Sequence, residues 1–318
     1  MKFAMDMRLV AAAAFAVVPL LGAGTAEATE AVAGRYIPGA FAGPGMGIVP
    51  PMPGGYWSLI NVYYQGEASG EVPFGNNSIA AGMSADMWIT ALAGIYVPGV
   101  DLPGNWTYAV QGVLPVGWTG ADAELGPFQV HQEESGLGDI SITPVLLGWH
   151  SDAMDNFFST SLTITAPTGA WEEGRIAFVG LNYWTFTPAV AYTHLWHEQG
   201  VDFSANLGID INTTNPDTDY YSGAMAHLDL SLTKKVAENW SLGVIGGALY
   251  QFEDDDSAFA DAHDGFKGRS VALGPLVSYK AKFGEGKEVD MTFKWSHELD
   301  VKNRMEGDAL VFQLSGKF

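Results

Sequence analysis

Val201-Asp202-Phe203-Ser204-Ala205-Asn206-Leu207-Gly208-Ile209-Asp210-Ile211-Asn212 alternates in polarity along its whole length. Val201, Phe203, Ala205, Leu207, Ile209 and Ile211 take one parity, and Asp202, Ser204, Asn206, Gly208, Asp210 and Asn212 take the other. Successive side chains of a strand point to opposite faces, whereas a helix would mix these two sets around its circumference. The stretch is therefore read as a strand with an apolar medium on one face and a wet or polar space on the other.

The same pattern recurs. Ala224, Ala226, Leu228, Leu230 and Leu232 oppose His227, Asp229, Ser231 and Thr233, and Val289, Met291, Phe293 and Trp295 oppose Asp290, Thr292, Lys294 and Ser296. At the chain end, Leu310, Phe312, Leu314 and Phe318 share a face opposite Gln313, Ser315 and Lys317. A last strand closing on phenylalanine resembles the signal read by the barrel-assembly machinery of the outer membrane. A soluble sheet with one buried face would alternate in the same way, so alternation alone leaves that reading open.

About twelve strands emerge, near 56–66, 86–97, 104–117, 138–150, 156–167, 181–195, 201–212, 222–235, 239–252, 268–283, 288–300 and 307–318. An even count suits a single-chain, all-β, antiparallel up-and-down transmembrane barrel. Connections after even-numbered strands are short, as at 98–103, 196–200, 236–238 and 284–287, while 66–85, 118–137 and 253–267 are read as long loops. Short periplasmic turns and longer outer loops follow if both termini are periplasmic.

Composition agrees. Lys2 and Arg8, the apolar run Leu9 to Leu21 and Ala26-Glu27-Ala28 read as a signal peptide over 1–28. Nothing beyond it approaches the run of about 18 apolar residues that a spanning helix needs. Cysteine is absent, which excludes disulfides, thiolate metal sites and an acylated N-terminal cysteine. A net charge of −21 disfavours nucleic acid as a partner. Aromatics at 12% and 39 glycines argue against a disordered acidic chain and suit a barrel with interface girdles. Trp57, Trp88, Trp149, Trp184, Trp240 and Trp295 are candidates for those belts.

Residues 29–55 stand apart. Pro38-Gly39, Gly43-Pro44-Gly45 and Pro50-Pro51-Met52-Pro53-Gly54 rule out a regular helix or a central strand. Yet the segment carries Tyr36, Ile37, Phe41, Met46 and Ile48. It is expected to fold into the lumen as a plug ahead of a barrel over 56–318, the alternative being a periplasmic arm.

Tyr36-Ile37-Pro38-Gly39, Gly138-Asp139-Ile140, Thr165-Ala166-Pro167-Thr168-Gly169 and Asn182-Tyr183-Trp184-Thr185-Phe186 form an ordered set of short motifs. Asn215-Pro216-Asp217-Thr218-Asp219-Tyr220, His227-Leu228-Asp229, Phe266-Lys267-Gly268-Arg269, Gly274-Pro275, Lys294-Trp295 and Asn303-Arg304 continue it. Together they resemble the outer-membrane family named after the meta-pathway of phenol degradation, also called SphA-like. The resemblance implies a channel for aromatic or hydrophobic compounds and brings no catalytic residue with it. Asp254-Asp255-Asp256 depart from the family in their charge.

His227, Asp229, Lys294, Glu298 and Asp300 fall on inward parity and are the candidate lumen lining. Enclosed charges should pair or stay wet. The density of carboxylates at Asp254, Asp255 and Asp256 could hold a hard cation, but the spacing is not that of an EF-hand and a solvated run facing lipopolysaccharide is the preferred reading. No Gly-x-Ser-x-Gly elbow occurs, and the histidines lack ligand spacing. The expected function is diffusion of small hydrophobic or aromatic solutes across the bacterial outer membrane, without chemistry or cofactor. Lipid, lipopolysaccharide and the assembly machinery are the expected partners. A barrel hydrolase and a sealed structural or adhesive barrel remain as alternatives.

Overall fold

A computed structural model describes residues 34–68, 71–74, 77–80, 82–125, 128–283 and 287–318; the expected signal peptide lies outside them. The strands are β1 (Gly54–Ala68), β2 (Glu71–Phe74), β3 (Asn77–Ala80), β4 (Met83–Val97), β5 (Trp106–Leu125), β6 (Phe128–Leu137), β7 (Ser141–His150) and β8 (Asn156–Thr165). They continue with β9 (Thr185–Trp196), β10 (Val201–Asn212), β11 (Met225–Lys235), β12 (Trp240–Gln251), β13 (Arg269–Phe283), β14 (Lys287–Lys302) and β15 (Glu306–Lys317). One short helix, α1 (Ala258–Ala262), lies between β12 and β13.

Twelve of these strands close a single antiparallel barrel. The order runs β4-β1-β15-β14-β13-β12-β11-β10-β9-β8-β7-β5, and β4 pairs with β5 to complete the ring. The chain ends meet at β1 and β15, from Tyr56 opposite Lys317 to Glu67 opposite Glu306. Closure satisfies every edge, which is the condition for crossing lipid with strands. Alternation sorts the side chains: Ser204, Asp210 and Asn212 are buried on β10 while Leu207, Ile209 and Ile211 are exposed on its outer face. Trp88, Trp184, Trp240 and Trp295 are exposed too, placing aromatic rings on the outside.

Two expected loops contain strands instead. Residues 118–137 continue β5 and return as β6, a hairpin standing beyond the wall from Val116 opposite Leu137 to Leu125 opposite Phe128. Residues 66–85 include the β2–β3 hairpin. On β6 polar residues occupy both parities, as in Gln129, His131, Gln132, Glu133 and Glu134, so no apolar face marks it as a strand. The strand expected from residue 181 starts only at Thr185, because Asn182 has a positive φ of 57° that no strand accommodates.

Candidate functional site: the barrel interior

The inner wall has two sides. On β9 to β14 the buried residues are mostly polar, including Thr185, Thr193, Ser204, Asp210, Asn212, His227, Asp229, Ser231, Thr233, Gln251, Ser270, Lys294, Ser296 and Glu298, with apolar Met225, Ile245, Leu249, Ala272 and Leu276 among them. On β15, β1, β4 and β5 Ala309, Val311, Val62, Tyr64, Ala68, Met83, Ala121 and Ala123 share one apolar cluster, with buried Thr119 also on β5, while Val97 and Ala109 belong to another.

Residues 34–53 run mainly along the polar side, with Ala40 and Ile37 reaching the apolar cluster of the other side and Tyr36 and Ala42 packing on Leu249 and Ile245. The Tyr36 hydroxyl donates to Asp229 Oδ1 at 2.8 Å, and its ring stacks on His227 with centroids 4.4 Å apart. Arg304 Nη2 donates to Tyr36 O at 2.9 Å, Ser296 Oγ to Pro38 O at 2.7 Å, and Lys294 Nζ to Ala42 O. Farther along, Gly45 N donates to Ser204 Oγ and Gly47 N to Thr193 Oγ1, each at 2.9 Å. Val49 then joins Val97 and Ala109 in an apolar cluster close to the start of β1. Side chains of the wall thus meet backbone of the segment. A proline- and glycine-rich chain cannot pair as a strand, so the wall supplies its backbone partners.

Arg35 anchors the other end. It ion-pairs with Asp139, donates from Nε to Thr185 Oγ1 at 2.7 Å and lies over the Tyr183 ring at 4.9 Å. Asp139 also accepts from Gly169 N at 2.8 Å and Leu181 N at 2.9 Å. One carboxylate therefore joins the N-terminal segment to both ends of the loop after β8.

The wall is also shaped for the segment. A Cβ on Gly247 would lie 1.9 Å from Gly39 N, and one on Gly148 would lie 2.4 Å from Val49 Cβ. At both positions only glycine leaves room for the segment to rest on the strand.

The candidate residues separate on inspection. His227, Asp229 and Lys294 converge on the segment, with His227 also 3.6 Å from Asp210. Glu298 points sideways, accepting from Tyr64 Oη at 2.8 Å, from Ser270 and from Gly307 N. Asp300 is not in the lumen. The β13–β14 register slips between Val271 and Ala272, so Asp300 faces its partner Val271 on the outer side and pairs with Arg269 at 3.3 Å.

Of the segment's own apolar residues, Tyr36 is buried, Ile37, Met46 and Ile48 are half-buried, and Phe41 is exposed with its ring 6.0 Å from that of Tyr36. The three carboxylates considered for a cation go separate ways. Asp254 pairs with Lys267, Asp255 is buried under Tyr220 Oη, Gly223 N and Gln251 Nε2, and Asp256 bridges to Tyr221 through its backbone. Among the described residues no group of three or more His, Asp or Glu side chains is placed to hold a metal ion.

Sequence reading did not single out Arg35, Asp139, Arg304 or Ser296 as partners of the segment. Arg35 is the one cation within its proline- and glycine-rich stretch, and Asp139 and Arg304 lie in the short motifs Gly138-Asp139-Ile140 and Asn303-Arg304. Those were the available signals.

The family model described as MetA-pathway of phenol degradation matches residues 69–314. The chain belongs to that family. A search of curated proteins finds no match. Among solved structures, the barrel is similar to an outer membrane channel from Pseudomonas putida F1, with a TM-score of 0.68 and 17% identity over 87% of this chain and 99% of that one. The transport unit of the autotransporter AIDA-I from Escherichia coli reaches a TM-score of 0.48 at 11% identity, over 83% and 90% of the two chains. The first establishes the fold, and the second is too distant to carry an argument. A closed barrel with an apolar, tryptophan-bearing exterior is an outer-membrane protein.

Proposed function

We propose that this barrel is a channel through which small hydrophobic or aromatic compounds diffuse across the outer membrane, and that residues 34–53 are its removable plug. The observation that carries the reading is the way the segment is held. Its contacts with the wall and the loop after β8 are side-chain hydrogen bonds, the Arg35–Asp139 ion pair and small apolar patches, with no strand pairing. A neutral bond of this kind contributes about 1 kcal/mol net and one to a charged group about 1.5–3 kcal/mol, each separately replaceable by water. A filling held like this can leave while the ring of strands stays closed. Family membership supports a transported compound of the phenolic class.

The hydrolase alternative needs a nucleophile beside a histidine. The groups against His227 are Asp210 and the Tyr36 ring, an arrangement that favours a wall role.

Two measurements test the proposal. Cells carrying the protein should take up radiolabelled toluene faster than cells lacking it, and equal rates would remove the transport reading. In planar bilayers, a variant lacking residues 36–50 should conduct more than the full chain. A deleted barrel that folds, judged by heat-modifiable mobility, and conducts no more would remove the plug.

A further inference from the structure

The loop between β12 and β13 is the most acidic stretch of the chain, with Glu253, Asp254, Asp255, Asp256, Asp261 and Asp264, yet it also carries Phe259, Ala260 and Phe266. In water these would be costly. They are buried instead, in the same apolar cluster as Val62, Tyr64, Met83, Ala121, Ala123, Met305, Ala309 and Val311. The loop leaves the polar side of the barrel and inserts its aromatic rings against the apolar side.

Its construction is that of an arm with a fixed neck. Buried Gln251 donates from Nε2 to Asp255 Oδ1 at 2.6 Å and accepts at Oε1 from Gly268 N at 3.2 Å, tying the two ends together. Asp255 is held further by Tyr220 Oη and Gly223 N. Beyond the neck, Ser257 caps α1 by accepting from Ala260 N at 3.0 Å, and α1 presents Phe259. That ring stacks on His263 at 4.0 Å and meets Phe266 edge-on at 4.8 Å. The cluster's remaining members are Ala40 of the N-terminal segment, Ile176 and Ala177 of the 166–184 loop, and wall side chains that are mostly alanine and valine, so Phe259 and Phe266 bring large apolar rings to a set of mostly small side chains.

We infer that this apolar wall at the loop end of the barrel is a binding site for a small neutral aromatic molecule, and that Phe259 and Phe266 occupy the ligand's place in its absence. The inference rests on the channel reading for its purpose but not for its test. A molecule of toluene size replaces a protein ring with its own, and the neck keeps the displaced arm attached. Neutral ligands are favoured because the loop and rim are acidic and would repel anions. Because the arm competes with the ligand, apparent affinity is reduced by the closed fraction, and weakening the arm must tighten binding.

The test uses full-length folded protein with 13C-methyl-labelled methionine, titrated with toluene. Met83 and Met305 lie in the cluster, whereas Met52 and Met154 are exposed outside it. Saturable shifts of Met83 and Met305, with Met52 and Met154 unmoved, are expected. Phe259→Ala should lower the apparent Kd roughly tenfold, and Ala123→Leu, which fills the wall, should abolish the shifts. Equal shifts of all four methyls, or weaker binding in Phe259→Ala, would overturn the site. Should either variant fold poorly, the Met83 and Met305 response of the unaltered protein still decides. Toluene uptake by cells is scored separately. Binding without protein-dependent uptake removes the channel and keeps the site, whereas uptake without methyl shifts removes the site and keeps the channel.

Discussion

Gly247 and Gly148 are where the wall comes closest to the segment it encloses, and each can be made to push. A side chain at Gly247 collides with the backbone of Pro38 and Gly39, which cannot rotate away. Overpacking of this kind costs about 1–3 kcal/mol, enough to shift a seated segment by roughly tenfold or more. Gly247→Leu should therefore raise bilayer conductance toward that of the 36–50 deletion without unfolding the barrel. Gly112→Ala, where nothing lies within 4 Å, should change neither.

A second residue-level expectation concerns the turn between β7 and β8. The Ser151 hydroxyl, assisted by Asn156, holds the Asp155 carboxyl below its ordinary value of 3.8. A depressed carboxyl stabilises the turn above that value, and the contribution disappears as pH falls through the lower, folded value. Carbon-detected NMR titration should place the Asp155 midpoint below 3.8, and Ser151→Ala should raise it. At this scale much was legible in the sequence: the inward parity of His227, Asp229 and Lys294 follows from strict alternation. Asp300 was not, because one extra residue in β14 reverses parity, and a bulge leaves no mark in a polarity pattern.

At the scale of elements, the twelve wall strands were readable because lipid enforces alternation on each of them. The β5–β6 hairpin and the residues that bind the N-terminal segment were not readable. The return strand β6 is polar on both parities, and partners such as Arg35 and Asp139 lie 104 positions apart in sequence. That Pro38, Gly39 and Gly45 preclude a strand could be seen beforehand. Which side of the barrel would receive their backbone groups could not, since it depends on the ring closing.

Asp139 is the test of how the segment and the 166–184 loop are joined. Asp139→Asn keeps the shape but removes the charge facing Arg35, and hydrogen bonds to charged groups contribute about 1.5–3 kcal/mol. Limited trypsin digestion of the folded protein should then cut faster at Arg35 and Arg175. Unchanged protection at both would mean that Asp139 holds neither.

For the whole molecule, everything depends on β1 meeting β15. Phe318 N donates to Gly55 O at 3.0 Å, the last bond of that seam, while the Phe318 ring is exposed on the outside. Removing Phe318 should lower the fraction of heat-modifiable protein in outer-membrane preparations, through loss of both the seam bond and the terminal aromatic. Full assembly of the truncated chain would show that the seam closes without it.

The division of the interior into a hydroxyl- and charge-bearing half and an alanine-rich half has an experimental consequence. Ions are expected to follow water along the polar half, which the N-terminal segment covers while Ile37 and Ala40 reach the apolar cluster, and an apolar solute is expected to keep to the other half. Electrical current and cargo flux should then respond to different mutations. A substitution on β11 or β14 should change bilayer current more than cargo flux, and one on β1 or β5 should change cargo flux more than current.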